Sequence, residues 1–231
     1  MKLLIKFPTR QRPTLFLDTL SKYMDMASGK HHIEYIISMD EDDNTMNNEA
    51  IRKRLDAIIE SGQDLKYFYG NSKTKIQAIN ADMEKASDDW DMVFNGQDDM
   101  IPTAKGYDDV MLTRLFEIFP DTDGALWLND QYMGFDQNCT IVAAGRKYYE
   151  RFKYIYHPSY DSLFADNEFT EVGVGLGKLA YIQDRIVKHD WIGKNQSLDE
   201  LIQRNEAPDK YKADKSVFDE RKRRGFPIEA L

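Results

Sequence analysis

Over its first hundred residues the chain alternates four short apolar runs with three stretches whose apolar residues recur at helical spacing, and few folds accept that order. The runs are Leu3 to Phe7, Ile33 to Met39, Leu65 to Tyr69 and Asp91 to Asn95. Between them lie three stripes: Phe16, Leu20, Tyr23 and Met24; Ile51, Leu55, Ile58 and Ile59; and Ile76, Ile79, Met83 and Ala86. A buried strand, a helix with one apolar face and a second buried strand make a βαβ unit. Repeating that unit gives a mostly parallel sheet flanked by helices. Pro13 suits the start of the first helix, and a cap for the second is expected within Thr45 to Asn48.

Beyond residue 100 the pattern loosens. Tyr107, Val110, Met111, Phe116 and Phe119 mark a helix before the Pro120 to Gly124 turn, Ala125 to Leu128 and Cys139 to Ala143 read as strands, Asn167 to Leu176 as a helix, and Leu179 to Val187 as a last strand. Residues 1–192 are expected to form one α/β domain, and 193–231 a polar tail, helical or partly ordered. With 231 residues, 42% of them hydrophobic, the chain has material for one sizeable core. Thirty-one Lys and Arg against 40 Asp and Glu give a net charge of -9, which disfavours a broad nucleic-acid footprint. Lys210 to Arg224 offers at most a modest basic patch, more simply read as a solvated helix face. Cys139 is the single cysteine, so neither an internal disulfide nor a cysteine metal cage can form. No run approaches the roughly 20 apolar residues of a membrane span. The opening Met1 to Pro8 lacks the pattern of a signal peptide. The expectation is a soluble, cytoplasmic protein.

In an open parallel sheet the ligand lies beyond the carboxyl ends of the strands, so the residues that follow each strand decide the chemistry. Here they are Pro8-Thr9-Arg10-Gln11-Arg12, Asp40-Glu41-Asp42-Asp43, Gly70 to Lys75, and Gln97-Asp98-Asp99. Two acidic and two basic clusters on one edge suit a nucleoside diphosphate with a divalent cation. Asp98-Asp99 follows the apolar Met92-Val93-Phe94, where adjacent carboxylates repel unless a cation compensates; Mg2+ or Mn2+ is the natural occupant. Asp42-Asp43, Asp88-Asp89 and Asp108-Asp109 show that such pairs also serve as ordinary surface. Asp40 can accept from a nucleobase N–H or a ribose hydroxyl, whereas Glu41, Asp42 and Asp43 equally suit a capping loop. Lys73 and Lys75 stand at a helix entrance, where the helix dipole disfavours them unless an anion is bound.

This constellation resembles the GT-A-fold glycosyltransferases, particularly the small family 2-like enzymes that use nucleotide sugars, over roughly Leu3 to Ile192. Phe7 to Pro13 is similar to the first loop of that family, which contacts the nucleotide, and Met39 to Asp42 sits where the family keeps base-binding acids. Phe94-Asn95-Gly96-Gln97-Asp98-Asp99-Met100-Ile101-Pro102 resembles the DXD segment, with Gln97 in place of the first Asp. The resemblance therefore implies a metal role for Asp99 before Asp98. Lys75 to Asn80 resembles the helix that approaches the ribose and diphosphate of the donor. Phe164-Ala165-Asp166-Asn167-Glu168-Phe169 resembles the acidic segment that supplies the catalytic base of inverting members, which implies Asp166, or alternatively Glu168. His189 matches a position where some relatives place a third metal ligand, although a histidine beside Asp190 and Trp191 also suits a structural role.

The resemblance implies a metal-dependent transfer of sugar from a UDP- or GDP-type nucleotide sugar to a carbohydrate or other hydroxyl acceptor. Trp127, Tyr132, Phe135, Tyr148, Tyr149 and Trp191 are aromatics able to stack on a sugar or base, most of them core residues. Trp127 with Asn129-Asp130-Gln131 is the first choice for the sugar or acceptor. Two other classes stay open. A sugar-phosphate nucleotidyltransferase would carry a Gly-rich loop after the first strand, yet no glycine precedes Gly29. A module that binds carbohydrate or nucleotide without reacting would keep the cleft and lose the use of Asp98 or Asp99. A modified DNA base is a narrower acceptor possibility.

Overall fold

The computed structural model describes residues 1–131, 138–190 and 200–226. Its first half follows the expected alternation: β1 (Lys2–Pro8), α1 (Pro13–Asp25), β2 (His32–Asp40), α2 (Glu49–Glu60), β3 (Asp64–Gly70), α3 (Lys75–Asn80) and β4 (Met92–Asn95). Asn48 caps α2 by accepting from the Ile51 N–H at 3.1 Å, and Thr74 caps α3 by accepting from Gln77 at 3.2 Å. Then come β5 (Met100–Pro102), α4 (Tyr107–Ile118), β6 (Ala125–Leu128), β7 (Val142–Gly145), α5 (Arg146–Phe152), α6 (Ala165–Gly175), β8 (Leu179–Ile182), β9 (Val187–His189), α7 (Glu200–Asn205) and α8 (Pro208–Arg223). Seven strands form one sheet in the order β3-β2-β1-β4-β7-β6-β8, with β5 and β9 in a separate pair. Within the large sheet only the pairs that β7 makes, with β4 and β6, are antiparallel.

Strand alternation divides the interior in two. Leu3, Ile5 and Phe7 face α1, α2 and α4 in one apolar cluster, while Leu4 joins the opposite cluster with Ile76 of α3, Tyr148 of α5, Ala165 of α6 and Phe218 of α8. The tail is thus helical where it is described, and α8 packs on the domain through Phe218 and Tyr211, both in ring contact with Phe164.

Three expectations change. The third helix ends at Asn80 because Asp82 takes a left-handed φ of 60°; Met83–Lys85 continues as a 3-10 turn, so Met83 still reaches the core. The strand expected at Cys139 begins at Val142. The last strand divides: Leu179–Ile182 stays in the large sheet, whereas Val187–His189 leaves it to pair with Met100–Pro102. β5 and α5 gave no usable periodic signal, being only three and seven residues long.

Lys6, on the same face as Leu4, is fully buried, and its Nζ donates to Ser38 Oγ at 2.6 Å; Ser38 in turn donates to Asp82 at 2.5 Å. Burial lowers the Lys6 amine from its ordinary 10.5 to about 7, against the attraction of Asp82 and Glu84. The unfolded chain therefore holds that proton more tightly than the folded one, and stability should rise as the pH goes from about 7 to about 10. Urea denaturation across that range should show the rise in the wild type and a markedly flatter profile in Lys6→Met.

Candidate active site

The ends of β1, β2, β3 and β4 converge on a cleft of about 260 Å³, placed as the strand-end rule requires. Pro8, Thr9, Arg10, Arg12, Asp40, Lys75, Asp98, Asp99, Asp166 and His189 all line it. Parallel pairing of β1 with β2 and β4 sets Pro8 beside Ser38 and Lys6 beside Asn95, and so brings the following loops together.

Carboxylates crowd this edge, and arginines hold most of them. Arg10 donates to Asp40 at 2.8 Å and to Asp42 at 2.5 Å, a double pairing that raises its own pKa and fixes its charge. Arg12 donates to Asp98 at 3.1 Å. Even so, burial together with the adjacent Asp99 raises the Asp98 carboxyl to about 6, against the pull of Arg12. Asp43 is occupied by the backbone N–H of Gln11 at 2.7 Å and by Thr45, which makes it a loop brace.

Asp99 is different. The antiparallel β5–β9 pair registers Met100 with His189, and this turns the imidazole toward the Asp99 side chain. Asp99 Oδ2 lies 3.7 Å from His189 Nε2, too far for a hydrogen bond. Asp99 Oδ1 and His189 Nδ1 are both buried without a hydrogen-bond partner. Burial alone would raise the Asp99 carboxyl; His189, Lys75 and Arg12 outweigh it and hold the group below its ordinary value. A divalent ion fits here: a carboxylate and an imidazole face one another without bonding, and each keeps an unsatisfied buried atom. Among the described residues no group of three His, Cys, Asp or Glu side chains gathers, so a bound ion would take its remaining ligands from phosphate oxygens and water.

Asp166, in the first turn of α6, also lines the cleft, where burial raises the carboxyl while Lys75 opposes the rise. Glu168, two residues on, leaves the cleft. It accepts from Arg221 through both oxygens at 2.8 and 2.9 Å and from Tyr160 at 2.6 Å, in a buried ion pair. As a candidate base it is displaced by this structural duty.

Six other expected residues also lie outside the cleft lining. Asn80 clamps the backbone of Ile155 and Tyr156. Lys73 is exposed, its carbonyl accepting from Arg204 at 3.0 Å. Asp42 is exposed and holds Arg10 from outside. Trp127 is buried against Tyr181. Asn129 accepts from the Gln131 N–H. Asp130 stands just behind the lining: it accepts from the hydroxyl of Thr140, a cleft residue, and its carbonyl accepts from the His189 N–H. Tyr148 is core and Tyr149 packs edge-on to Trp90. Tyr132, Phe135 and Trp191 lie outside the described residues.

No family model matches the sequence, and no curated protein matches it. Solved structures do. A mannosyltransferase from Pyrobaculum calidifontis, solved with GDP-Man and Mn2+, superposes with a TM-score of 0.62 at 15% identity, covering 84% of this chain and 58% of that one. Residues 1–349 of S. aureus TarS, solved with UDP-GlcNAc, give 0.57 at 14% identity, covering 81% and 57%. The fold is GT-A. Drosophila β1,4-galactosyltransferase 7, solved with xylobiose, gives 0.50 at 16% identity over 82% of this chain and 68% of its own length. This chain spans less than two thirds of the mannosyltransferase and of the TarS fragment. The GT-A scaffold accounts for the position of the cleft at the carboxyl edge of β1 to β4.

Sequence reading missed the cleft residues supplied by the tail. Leu201, Ile202 and Arg204 of α7 line the opening, yet six residues are too few for a periodic stripe to stand out. Among the described residues no helix is long and apolar enough to cross a membrane. The basic end of α8 is partly neutralised by local pairs, Lys215 with Asp219 and Lys222 with Glu171. Glu168→Gln should remove the buried carboxylate charge that Arg221 pairs with and cost about 3 kcal/mol or more in urea denaturation, as breaking one side of a buried pair does.

Proposed function

We propose that the chain is a glycosyltransferase that moves a sugar from a UDP- or GDP-type donor to a hydroxyl acceptor, depends on Mn2+ or Mg2+, and inverts the anomeric centre. One observation carries the reading: a single cleft joins the unsatisfied Asp99–His189 pair, the cations Arg12 and Lys75, and a carboxylate, Asp166. The likeness to nucleotide-sugar transferases in fold supports it.

Asp99 and His189 would hold the ion, which when bound supplies positive charge to the departing diphosphate. Lys75 makes no ion pair among the described residues and is available to the same phosphate oxygens. Thr9 and Asp40 line the β1–β2 end of the cleft, where base and ribose would lie. Arg10 holds Asp40 in place. Asp98 stays with Arg12, and that pair shapes the floor beside Asp99. Asp166 takes the proton from the acceptor hydroxyl; raising a carboxylate toward the working pH makes it the better base. Attack from the Asp166 side, opposite the leaving diphosphate, inverts the sugar carbon in one displacement. The cytoplasmic location and the division into a catalytic body, 1–192, and a tail, 193–231, belong to the same proposal.

A panel of nucleotide sugars with Mn2+, read by release of nucleoside diphosphate, tests the reading; release of pyrophosphate would mark a nucleotidyltransferase instead. Asp99→Asn should weaken Mn2+-dependent binding of UDP or GDP by about tenfold or more in titration calorimetry, a loss of about 1.4 kcal/mol. Asp166→Asn should keep nucleotide affinity and lose about a hundredfold to ten-thousandfold in turnover, the usual share of a general base.

A further inference from the structure

Two buried charged residues of α8 reach the same wall of the cleft. Asp214 is 2% exposed. Its Oδ1 accepts from the backbone N–H of Asp161 at 2.8 Å, and its Oδ2 from those of Ser162 and Leu163 at 2.9 and 2.8 Å. Two turns further along the helix, Arg221 holds Glu168 of α6 through two parallel hydrogen bonds. The chain between these anchors is functional ground. Ser162, Leu163 and Asp166 line the cleft, and the Asp161 carbonyl accepts from the N–H of Ile76 at 3.2 Å, in the first turn of α3 beside Lys75.

An apolar contact would fasten α8 to the domain with less desolvation. A carboxylate satisfied by three successive amides does something an apolar contact cannot: it fixes the direction of each peptide plane. Through Asp161 the same loop is tied to α3 on one side, and through Leu163 it leads into α6 on the other. One side chain from the tail thereby sets both walls.

We propose that Asp214 is a positioning residue that holds the 161–163 loop so that Asp166 stands at working distance from the Lys75 side of the cleft. Glu168 and Arg221 lock α6 into the same frame. The proposal rests on the reading of Asp166 as the base. It makes the polar tail part of the active machinery.

The test is Asp214→Asn in the full chain, isosteric but with one acceptor oxygen turned into a donor. With the donor that the panel identifies, kcat for nucleoside diphosphate release should fall about tenfold to a hundredfold while donor KM moves less than about twofold, as a small displacement of a reacting group does. Hydrogen exchange should quicken at the amides of 161–163 and at Ile76, with β1, β2 and β3 still protected. Arg221→Lys keeps the charge and loses the fork, and should show the same split at smaller size. An unchanged kcat, or equal losses in kcat and donor affinity with protection falling across the whole domain, would overturn the proposal. Should the wild type release nucleoside diphosphate from no donor, the reading of Asp166 fails by itself. Exchange then decides the rest: local quickening upholds the grip of Asp214 on the loop, and unchanged or global quickening ends it.

Discussion

The cleft depends on how the protein tolerates carboxylates crowded at one edge of a sheet. The ends of β2 and β4 deliver Asp40, Asp42, Asp98 and Asp99 to one edge of the sheet, and neighbouring carboxylates such as Asp98 and Asp99 repel unless compensated. Arg10 settles the first two and Arg12 the third. Asp99 is left facing an imidazole that it does not bond, with one buried oxygen unsatisfied. Of these four carboxylates, Asp99 is the one with no arginine hydrogen bond among the described residues, so the pairs made by Arg10 and Arg12 single it out.

The two walls of the cleft are held by different means. On one side, residues sit at the ends of β1 to β4, whose ladders and buried side chains leave them little freedom. On the other, Asp166 lies in the first turn of a helix pinned by the Glu168–Arg221 pair, and the loop before that helix hangs on Asp214. The first wall is built by the sheet. The second is built by buried polar contacts from the end of the chain, which are directional and therefore suited to aiming a carboxylate.

Much of this was legible from residue order. Each strand-end segment chosen for its polar residues contributes to the cleft lining, because in a parallel sheet the topology alone sends those loops to one edge. The choice between Asp166 and Glu168 was not legible. Residues two apart on a helix point about 200° away from each other, so one faces the cleft and the other the interior, and only the packing of α6 says which. Asn80 and Trp127 failed for a related reason: a polar or aromatic side chain near a cleft can as well hold a neighbouring loop or fill the core. His189 reaches Asp99 only because β9 leaves the large sheet for β5, and strands of three residues show no period to read.

The sequence by itself determined the alternating strands and helices, the parallel sheet and the polar edge on which the site forms, since hydrophobic period and chain direction are local properties. Tertiary structure alone decided which carboxylate of the edge faces an imidazole rather than an arginine, which acid of α6 enters the cleft and that α8 holds the loop before it. Those outcomes turn on pairings between residues far apart in the chain, such as Asp99 with His189 and Asp214 with Ser162, and a linear order does not record distance.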